Sequence, residues 1–380
     1  METGDITITI AVIVYKVEKY IRECLDSVIS QKGSDIEILI VNDASPDSCG
    51  KICDEYAKRD SRVRVIHHDR NKGASAARNT CINNARGHWI TFVDGDDKLT
   101  DDAIQTMLLR LDDLCDIIVF DYIEIAGKNA LERTGKSFDE FDYSDEKEIA
   151  DYRLTIIGDK KNALKAVPIH TPWAKIIRKQ FLKDNNLKFN TKMIWGEDTV
   201  FSLDGAYKLN RVKGFPYKTY MYRINPSAIT WRYIENSIEL QDDFLNAMKD
   251  ILDKNNDNDD SALNAFALRI MEEVQASFKR TAYHTKCRWG KKKRLSWLKS
   301  ICSNSLVDFS VMRLLHTPCS NSDTQELAVL IHEKNLQRID VIYRKRRKEQ
   351  IVSTIKQNLV RFKLFKMIYL LNKRINIGEV

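Results

Sequence analysis

The first 125 residues of this chain alternate between short apolar runs and stretches with helical spacing of apolar residues. Five runs are apolar almost throughout and rich in β-branched residues. Strands that are apolar on both faces are typical of a parallel sheet covered by helices. The sequence therefore predicts an α/β fold with a mostly parallel, Rossmann-like central sheet flanked by helices. The runs are Ile6–Val14, Ile36–Val41, Val63–Ile66, Trp89–Val93 and Asp116–Ile125.

The pattern changes in the second half of the chain. Residues 126–150 are charged without a clear period, which predicts a surface excursion, and the aromatic run Phe215–Tyr222 favours one more strand. From Asn236 onward the spacing is mainly helical, interrupted by the polar segment Lys254–Ser261 and by Pro318. We therefore expect an α/β domain over residues 1–230 and a helical, basic region over residues 231–380.

Cysteine usage and hydropathy bear on the compartment. The eight cysteines are scattered without a CxxC pair or a zinc-like spacing, which is typical of a reducing compartment. The first residues lack the pattern of a signal peptide, and no run of about 18 uncharged apolar residues predicts a membrane span. We expect a cytoplasmic protein.

The net charge of +7 is concentrated near the C-terminus, where residues 341–380 carry eleven Lys/Arg against two acids. A helix there could lie peripherally on the anionic inner face of the membrane, which we favour, or pack on the protein or a second subunit. No nucleic-acid-binding module accompanies the charge, so we expect no nucleic-acid partner. The apolar series is Ile351, Ile355, Leu359, Phe362, Phe365 and Tyr369, and the basic series is Lys356, Arg361, Lys363, Lys366, Lys373 and Arg374.

Polar residues follow four of the predicted strands. They are Tyr15-Lys16, Asn42-Asp43, His67-His68-Asp69 and Asp94–Asp97. Because the carboxyl ends of parallel strands meet at one edge of the sheet, these groups should converge there on a binding site.

The segment Asp94-Gly95-Asp96-Asp97 places three carboxylates around a glycine. Hard oxygen ligands at this density suit Mg²⁺ or Mn²⁺, which would bring a phosphate. A turn that caps the next helix is the simpler alternative, but it leaves Asp94 and Asp96 unexplained. Geometry predicts Asp94 near a ribose, Asp96 on the metal and Asp97 orienting the loop.

Three other positions allow a chemical and a structural interpretation. Asp43 could bind a nucleobase imide or a ribose, or form an Asx-turn. Arg78, on a helix of small residues, could contact a base or phosphate, or make a structural ion pair. Asp198, beside Glu197 and after Trp195, could be a general base whose pKa burial raises, or a charge that favours the helix start.

The order of these motifs resembles bacterial family 2 glycosyltransferases with the GT-A fold. Each motif is weak alone, but seven in order over residues 6–230 are specific. The matching segments are Val12–Tyr20, Ile40–Ser45, Asn71–Asn79, Phe92–Asp97, Trp173–Lys175, Gly196–Asp198 and Tyr222–Pro226.

The resemblance implies a nucleotide-sugar donor, usually a UDP-sugar, inversion at the anomeric carbon, and a glycan or lipid-linked glycan acceptor in capsule, exopolysaccharide or lipopolysaccharide synthesis. Asp198 would be the catalytic base, and Asp96 would hold Mn²⁺ or Mg²⁺. The donor-binding residues would be Val14, Tyr15, Asp43, Asn71, Gly73, Arg78, Asp94 and Gly95. Candidate acceptor or phosphate contacts are Lys16, Trp173, Trp195, Glu197 and Arg223.

Two positions depart from the family pattern. Ile13 stands where the family commonly has proline, and Lys16 where it has asparagine. Lys16 could bind a phosphate or carboxylate, or weaken ordinary donor binding, so a catalytically impaired nucleotide-sugar-binding or scaffolding protein is the alternative. A nucleotidyltransferase is disfavoured because residues 11–20 contain no glycine for an activating loop.

Overall fold

The computed structural model describes residues 6–33, 35–125, 138–159, 164, 167–224, 233–235, 237–317, 319, 321–349 and 351–353. The chain forms two compact units. One consists of Met1–Ala228 and Glu239–Phe266, and the other of Ile229–Ile238 and Ala267–Val380. Residues 239–266, which follow the predicted domain boundary near residue 230, belong to the first unit. The position of that boundary stays a prediction.

The first unit is built on a sheet of nine strands in the described residues. Their spatial order is β3-β2-β1-β4-β8-β6-β9-β5, with β7 also pairing to β9. The strands are β1 Ile8–Val14, β2 Ile36–Asn42, β3 Val63–His67, β4 Trp89–Asp94, β5 Lys98–Leu99, β6 Ile117–Ile125, β7 Phe141–Tyr143, β8 Lys175–Arg178 and β9 Val212–Arg223.

The long ladders are parallel: β1 pairs with β2 and β4, β2 with β3, and β6 with β9. The antiparallel pairs involve the short strands β5, β7 and β8. The interior of β1 and β2 is buried on both faces because helices cover the sheet on both sides. The α/β fold with a mostly parallel sheet is therefore confirmed.

Helices connect and cover these strands. In the first unit they are α1 Ile21–Ile29, α2 Cys49–Arg59, α3 Ala74–Asn84, α4 Ala103–Leu108, α5 Glu146–Ile157, α6 Lys179–Asp184, α7 Glu197–Ala206 and most of α8 Ser237–Lys254. The described part of the segment predicted as a surface excursion contains regular structure: it includes β7, and Asp145 and Glu148 form a capping box that starts α5. These elements left no clear hydrophobic period in the sequence.

The second unit is helical, as predicted. It contains most of α9 Asp260–Arg280, followed by α10 Lys291–Cys302, α11 Ser305–His316, α12 Ser322–His332 and a helix over residues 336–349. Inside it, the buried carboxylate of Asp340 accepts hydrogen bonds from Arg294 Nε at 2.7 Å and Tyr283 Oη at 3.1 Å. The Arg294–Asp340 ion pair therefore links the helix over residues 336–349 to α10.

Within the part of the chain that the structure describes, no helix combines the length and apolar character needed to cross a membrane. The predicted amphipathic series from Ile351 to Arg374 falls almost entirely outside the described residues, as do Pro318 and the Asn225-Pro226 end of the last motif.

Candidate active site

Asp43 lies at the carboxyl end of β2 and is 3% exposed. Its Oδ1 accepts hydrogen bonds from His68 Nδ1 at 2.7 Å and from the Lys72 amide at 2.9 Å. Its Oδ2 accepts one from the Gly73 amide at 2.8 Å. No other described residue donates to Oδ2, so this oxygen keeps a lone pair for a ligand. The carboxylate thus joins β2 to the loop before α3 and still has one acceptor position.

His68 was assigned no chemical role from the sequence, yet it is the second support of Asp43. Its ring is buried, and its Nε2 lies 2.9 Å from Thr80 Oγ1 on α3. Held at both nitrogens, the imidazole fixes the direction of the Asp43 carboxylate. The available signal was its place at the end of β3, beside the strand that carries Asp43.

Residues Asp94–Asp97 form a tight turn at the end of β4, which we call the acid turn. The Gly95 amide donates to Ile13 O at 3.0 Å, and a Cβ at position 95 would lie 2.9 Å from that oxygen. Only glycine permits this approach, which brings Asp94 and Asp96 against the end of β1. The predicted convergence of these strand ends is therefore present in the structure.

Asp97 holds the acid turn to β9. Its carboxylate accepts hydrogen bonds from Tyr220 Oη and from the Arg223 amide, each at 2.7 Å. Burial raises the pKa of Asp97, and the charges of Asp94 and Asp96 raise it further. Arg223 also donates through Nε to Asp96 O at 2.8 Å, so β9 holds the acid turn by side chain and backbone.

Arg78 connects the acid turn to α7. This residue is 4% exposed, and it donates to Asp198 Oδ1 at 2.7 Å and to Asp94 Oδ1 at 3.1 Å. Glu197 Oε1 lies 3.5 Å from the same guanidinium. Burial lowers the pKa of Arg78, but these three carboxylates more than offset that effect and raise it above its ordinary value.

One cation therefore gathers three carboxylates from β4 and α7 into a single cluster. Arg78 Nε is buried and makes no hydrogen bond with a described residue, and the same is true of Ser75 Oγ one turn earlier on α3. The structural interpretation of Arg78, an ion pair, is therefore present in the structure, whereas a contact of Arg78 with a base or phosphate stays a prediction.

Asp198 occupies the first turn of α7, after Gly196 in a left-handed conformation with φ of 74°. A Cβ at Gly196 would lie 2.2 Å from the Phe244 ring, so both backbone and packing require glycine there. Burial raises the pKa of Asp198 to about 7, although the Arg78 guanidinium lowers it. Asp198 Oδ2 accepts no hydrogen bond from a described residue, which leaves it able to take a proton.

Three of the remaining predicted residues lie near Asp43. Val14 O accepts a hydrogen bond from the Asp43 amide at 3.0 Å, and Asn71 Oδ1 accepts one from the Gly73 amide at 3.0 Å. Tyr15 is 37% exposed. Lys16 has a φ of 55°, its amide donates to Ser45 Oγ at 2.7 Å, and its Nζ lies 5.1 Å from the Tyr15 ring centroid.

The two predicted tryptophans lie in different places. Trp173 stacks on Tyr220 beside the acid turn, whereas Trp195 is half-buried in the loop before α7.

Lys175 received no role from the sequence although it lies in a matching motif. Its side chain is buried, and Nζ donates to Ile169 O at 3.0 Å. Burial lowers the pKa of Lys175 to about 7, while the charge of Asp198 acts in the opposite direction. Lys175 is thus a second basic group within electrostatic reach of Asp198.

The carboxylate oxygens of the acid turn suit a hard divalent cation whose remaining ligands come from the substrate. Among the described residues, no group of three or more His, Cys, Asp or Glu could hold a metal ion by itself. Mg²⁺ is commonly bound by one or two carboxylates with substrate phosphates and waters, which needs no such group. Asp96 and Asp94 fit this arrangement, since no described residue donates a hydrogen bond to Asp94 Oδ2, whereas both oxygens of Asp97 accept hydrogen bonds within the fold.

Known proteins share both this sequence pattern and this fold. Residues 9–186 match the family model described as Glycosyl transferase family 2. The "uncharacterized glycosyltransferase EpsJ" of Bacillus subtilis (strain 168) is 36% identical over 231 residues, which cover 59% of this chain and 62% of that protein. The succinoglycan biosynthesis protein ExoO of Rhizobium meliloti (strain 1021) is 26% identical over 223 residues, with 59% and 62% covered. The matches thus span about three fifths of the length of these relatives.

A solved structure of S. aureus TarS residues 1–349 in complex with UDP-GlcNAc is similar to this chain with a TM-score of 0.61. The identity is 18%, and the similarity covers 90% of this chain and 92% of that one. At this identity the likeness concerns the fold, which agrees with the predicted GT-A architecture. The family identification comes from the sequence match: residues 9–186, which begin at β1 and hold Asp43, Arg78 and the acid turn, match glycosyltransferase family 2.

Proposed function

We propose that this chain transfers a sugar from a UDP-sugar to a hydroxyl of a glycan acceptor, with metal assistance and inversion at the anomeric carbon. The observation that carries the proposal is the Arg78 cluster, in which one buried guanidinium contacts Asp94 at 3.1 Å and Asp198 at 2.7 Å. A candidate donor-binding carboxylate and a candidate base therefore contact the two terminal nitrogens of one guanidinium.

In the proposed donor complex, the free lone pair of Asp43 Oδ2 accepts the imide N–H of the nucleobase. Uracil carries such a donor, and the similar fold of TarS is solved with UDP-GlcNAc. Asp94 Oδ2 then accepts from the ribose. Lys16, at the exposed end of β1, supplies a cation for a phosphate or carboxylate, and its left-handed backbone is a conformation that β-carbon-bearing residues adopt at a cost.

Asp96 would hold Mn²⁺ or Mg²⁺, and phosphate oxygens of the substrate and waters would complete the coordination. When bound, such an ion neutralises charge that develops on the departing diphosphate. Arg78 would add positive charge beside the same acid turn, since its guanidinium lies 3.1 Å from Asp94 and no described residue bonds to its Nε.

Asp198 would deprotonate the acceptor hydroxyl. Its Oδ1 is held by Arg78 while its Oδ2 stays available, so the carboxylate is oriented before the acceptor arrives. A pKa raised to about 7 makes it a stronger base than an ordinary carboxylate and leaves a large fraction ionised near neutral pH.

The relatives favour polysaccharide biosynthesis as the setting, since ExoO is named for succinoglycan synthesis. A capsule, exopolysaccharide or lipid-linked glycan acceptor is part of the proposal. Cytoplasmic location, contact with an anionic membrane and homo-oligomerisation stay predictions.

The test is nucleotide release from a panel of UDP- and GDP-sugars by the full chain with Mn²⁺ or Mg²⁺. We expect release from at least one UDP-sugar, loss of release with EDTA, and recovery when Mn²⁺ is added. Asp96→Asn should lower release at least about a hundredfold, whereas Asp101→Asn, at an exposed position between β5 and α4, should match the wild type.

Two results would contradict the proposal. Release that is insensitive to EDTA and to Asp96→Asn would remove the metal role. Tight UDP binding without release from any sugar nucleotide would favour the alternative of a binding or scaffolding protein.

A second prediction concerns His68. His68→Ala removes the donor that fixes Asp43 Oδ1, and we expect UDP binding to weaken by about tenfold, as measured by calorimetry. His68→Asn keeps an N–H near the position of Nδ1 and should recover part of the affinity. His67→Ala is the control, because His67 is exposed and bonds to Asn42 and Asp54 instead. Wild-type affinity in His68→Ala would show that Asp43 needs no such support.

A further inference from the structure

An aromatic group lies next to the acid turn. Trp173, which is 7% exposed, stacks on Tyr220 with ring centroids 4.8 Å apart and on Tyr222 with centroids 5.4 Å apart. Tyr122 meets the same indole edge-on at 5.0 Å. We call these four rings the aromatic platform. It combines neighbouring strands, since Tyr122 of β6 pairs with Tyr220 of β9.

The position of the platform relative to the acids is fixed by Tyr220. Its hydroxyl donates to Asp97 at 2.7 Å and accepts from the Asp94 amide at 3.1 Å. Tyr222 lies two residues further along β9, so its side chain points to the same face of the sheet. Burial raises the pKa of Tyr222 to about 12, and the charges of Asp97, Asp96 and Asp94 add to that effect, which agrees with a hydroxyl close to the turn.

The tyrosines of the platform differ in their hydrogen bonding. Tyr220 is fully buried and its hydroxyl is satisfied, so its role is structural. Tyr122 and Tyr222 are half-buried, and neither hydroxyl bonds to any described residue. Tyr122 and Tyr222 thus are two partly exposed aromatic rings in contact with Trp173, and their hydroxyls make no hydrogen bond to a described residue.

Such a surface suits a pyranose ring. The apolar C–H face of a sugar packs on aromatic rings, and its hydroxyls need donors and acceptors at the rim of that contact, which a tyrosine hydroxyl supplies. The adjacent carboxylates repel a second negative charge, so a neutral sugar fits better than an acidic one. We infer that Tyr122 and Tyr222, backed by Trp173, bind a neutral pyranose ring of the acceptor glycan beside the acid turn.

This inference rests on the proposed transfer reaction but can be tested without it. The full chain is titrated with methyl β-D-glucopyranoside, methyl β-D-galactopyranoside, methyl N-acetyl-β-D-glucosaminide and methyl β-D-glucuronide, in the presence of saturating UDP and Mn²⁺. Binding is followed by saturation-transfer NMR. We expect at least one neutral glycoside to bind and the glucuronide to bind more weakly.

The variants separate the ring from the hydroxyl. Tyr122→Ala/Tyr222→Ala should weaken glycoside binding by about tenfold or more, whereas Tyr122→Phe/Tyr222→Phe keeps the packing and should lose only part of it. Tyr217→Ala is the matched control, because Tyr217 lies on the same strand, is 43% exposed and stacks on Phe215 instead. UDP affinity should be unchanged in all variants.

Three results would overturn the inference: no glycoside binds, binding survives the double alanine variant, or UDP affinity falls in parallel with glycoside affinity. The third result would assign the platform to the donor. Failure of the proposed function looks different, since it is absence of nucleotide release from every donor, whatever the glycosides do.

Discussion

Asp198→Asn is expected to lower sugar transfer by about 10²–10⁴-fold while UDP still binds, because a positioned general base contributes about that much to the rate. Asparagine keeps the shape of the side chain and can still accept the hydrogen bond from Arg78 Nη1, now 2.7 Å from Asp198 Oδ1. What it loses is the ability to take a proton at the second oxygen. The measurement is the transfer rate and, separately, the UDP dissociation constant.

The control for this substitution lies on the same helix. Asp204 of α7 pairs with Lys208 on the surface at 2.8 Å, so Asp204→Asn should leave the rate unchanged. Glu197→Gln is the second comparison, because Glu197 shares the Arg78 cluster at a longer distance and should have a smaller effect than Asp198→Asn. A rate equal to that of the wild type in Asp198→Asn would assign the base to another residue.

The pH dependence tests the same role from a second direction. The base must be ionised to act, and burial raises the pKa of Asp198 to about 7. The wild-type rate should therefore rise as pH increases through about 7 and level off above it, rather than levelling off near pH 4 as for an ordinary carboxylate. Asp198→Asn should lose this limb along with most of the rate.

The strands of the first 125 residues could be predicted because helices cover both faces of the sheet. A strand such as Ile36–Asn42, buried at every position, leaves a continuous apolar run in the sequence. The strand Lys175–Arg178 leaves no such signal, since it has four residues with a basic residue at each end. It exists because β4 and β6 supply antiparallel partners, which is information that lies more than 50 residues away in the chain.

The site shows the same division. Convergence of Asp43 and Asp94–Asp97 followed from parallel strand direction, which the periodicity determined. The central place of Arg78 did not follow, because its partner Asp198 is 120 residues distant. The support that His68 gives to Asp43, and that Tyr220 gives to Asp97, likewise depends on side-chain directions across neighbouring strands. Sequence patterns thus predicted where the carboxylates lie, whereas their partners Arg78, His68 and Tyr220 depend on tertiary packing.

Arg78→Met is expected to impair both stability and activity, because it leaves Asp94, Glu197 and Asp198 without their shared cation. Breaking a buried ion pair by removing one partner typically costs about 3–5 kcal/mol. Since Asp94 and Asp198 keep part of their solvent contact, we expect about 3 kcal/mol, at the lower end of that range. Urea denaturation measures this loss as a lower midpoint with an unchanged slope.

Two further variants separate charge from geometry. Arg78→Lys keeps one positive charge but cannot reach Asp94 and Asp198 at once through a planar fork, so it should recover part of the stability and little of the transfer rate. Arg22→Met is the control, because Arg22 forms an exposed pair with Glu55 at 2.8 Å and should change neither quantity appreciably. If Arg78→Met were as stable as the wild type, the three carboxylates would have to be neutral or hydrated in the folded protein. In that case the guanidinium would not be what brings the donor-binding turn and the base together.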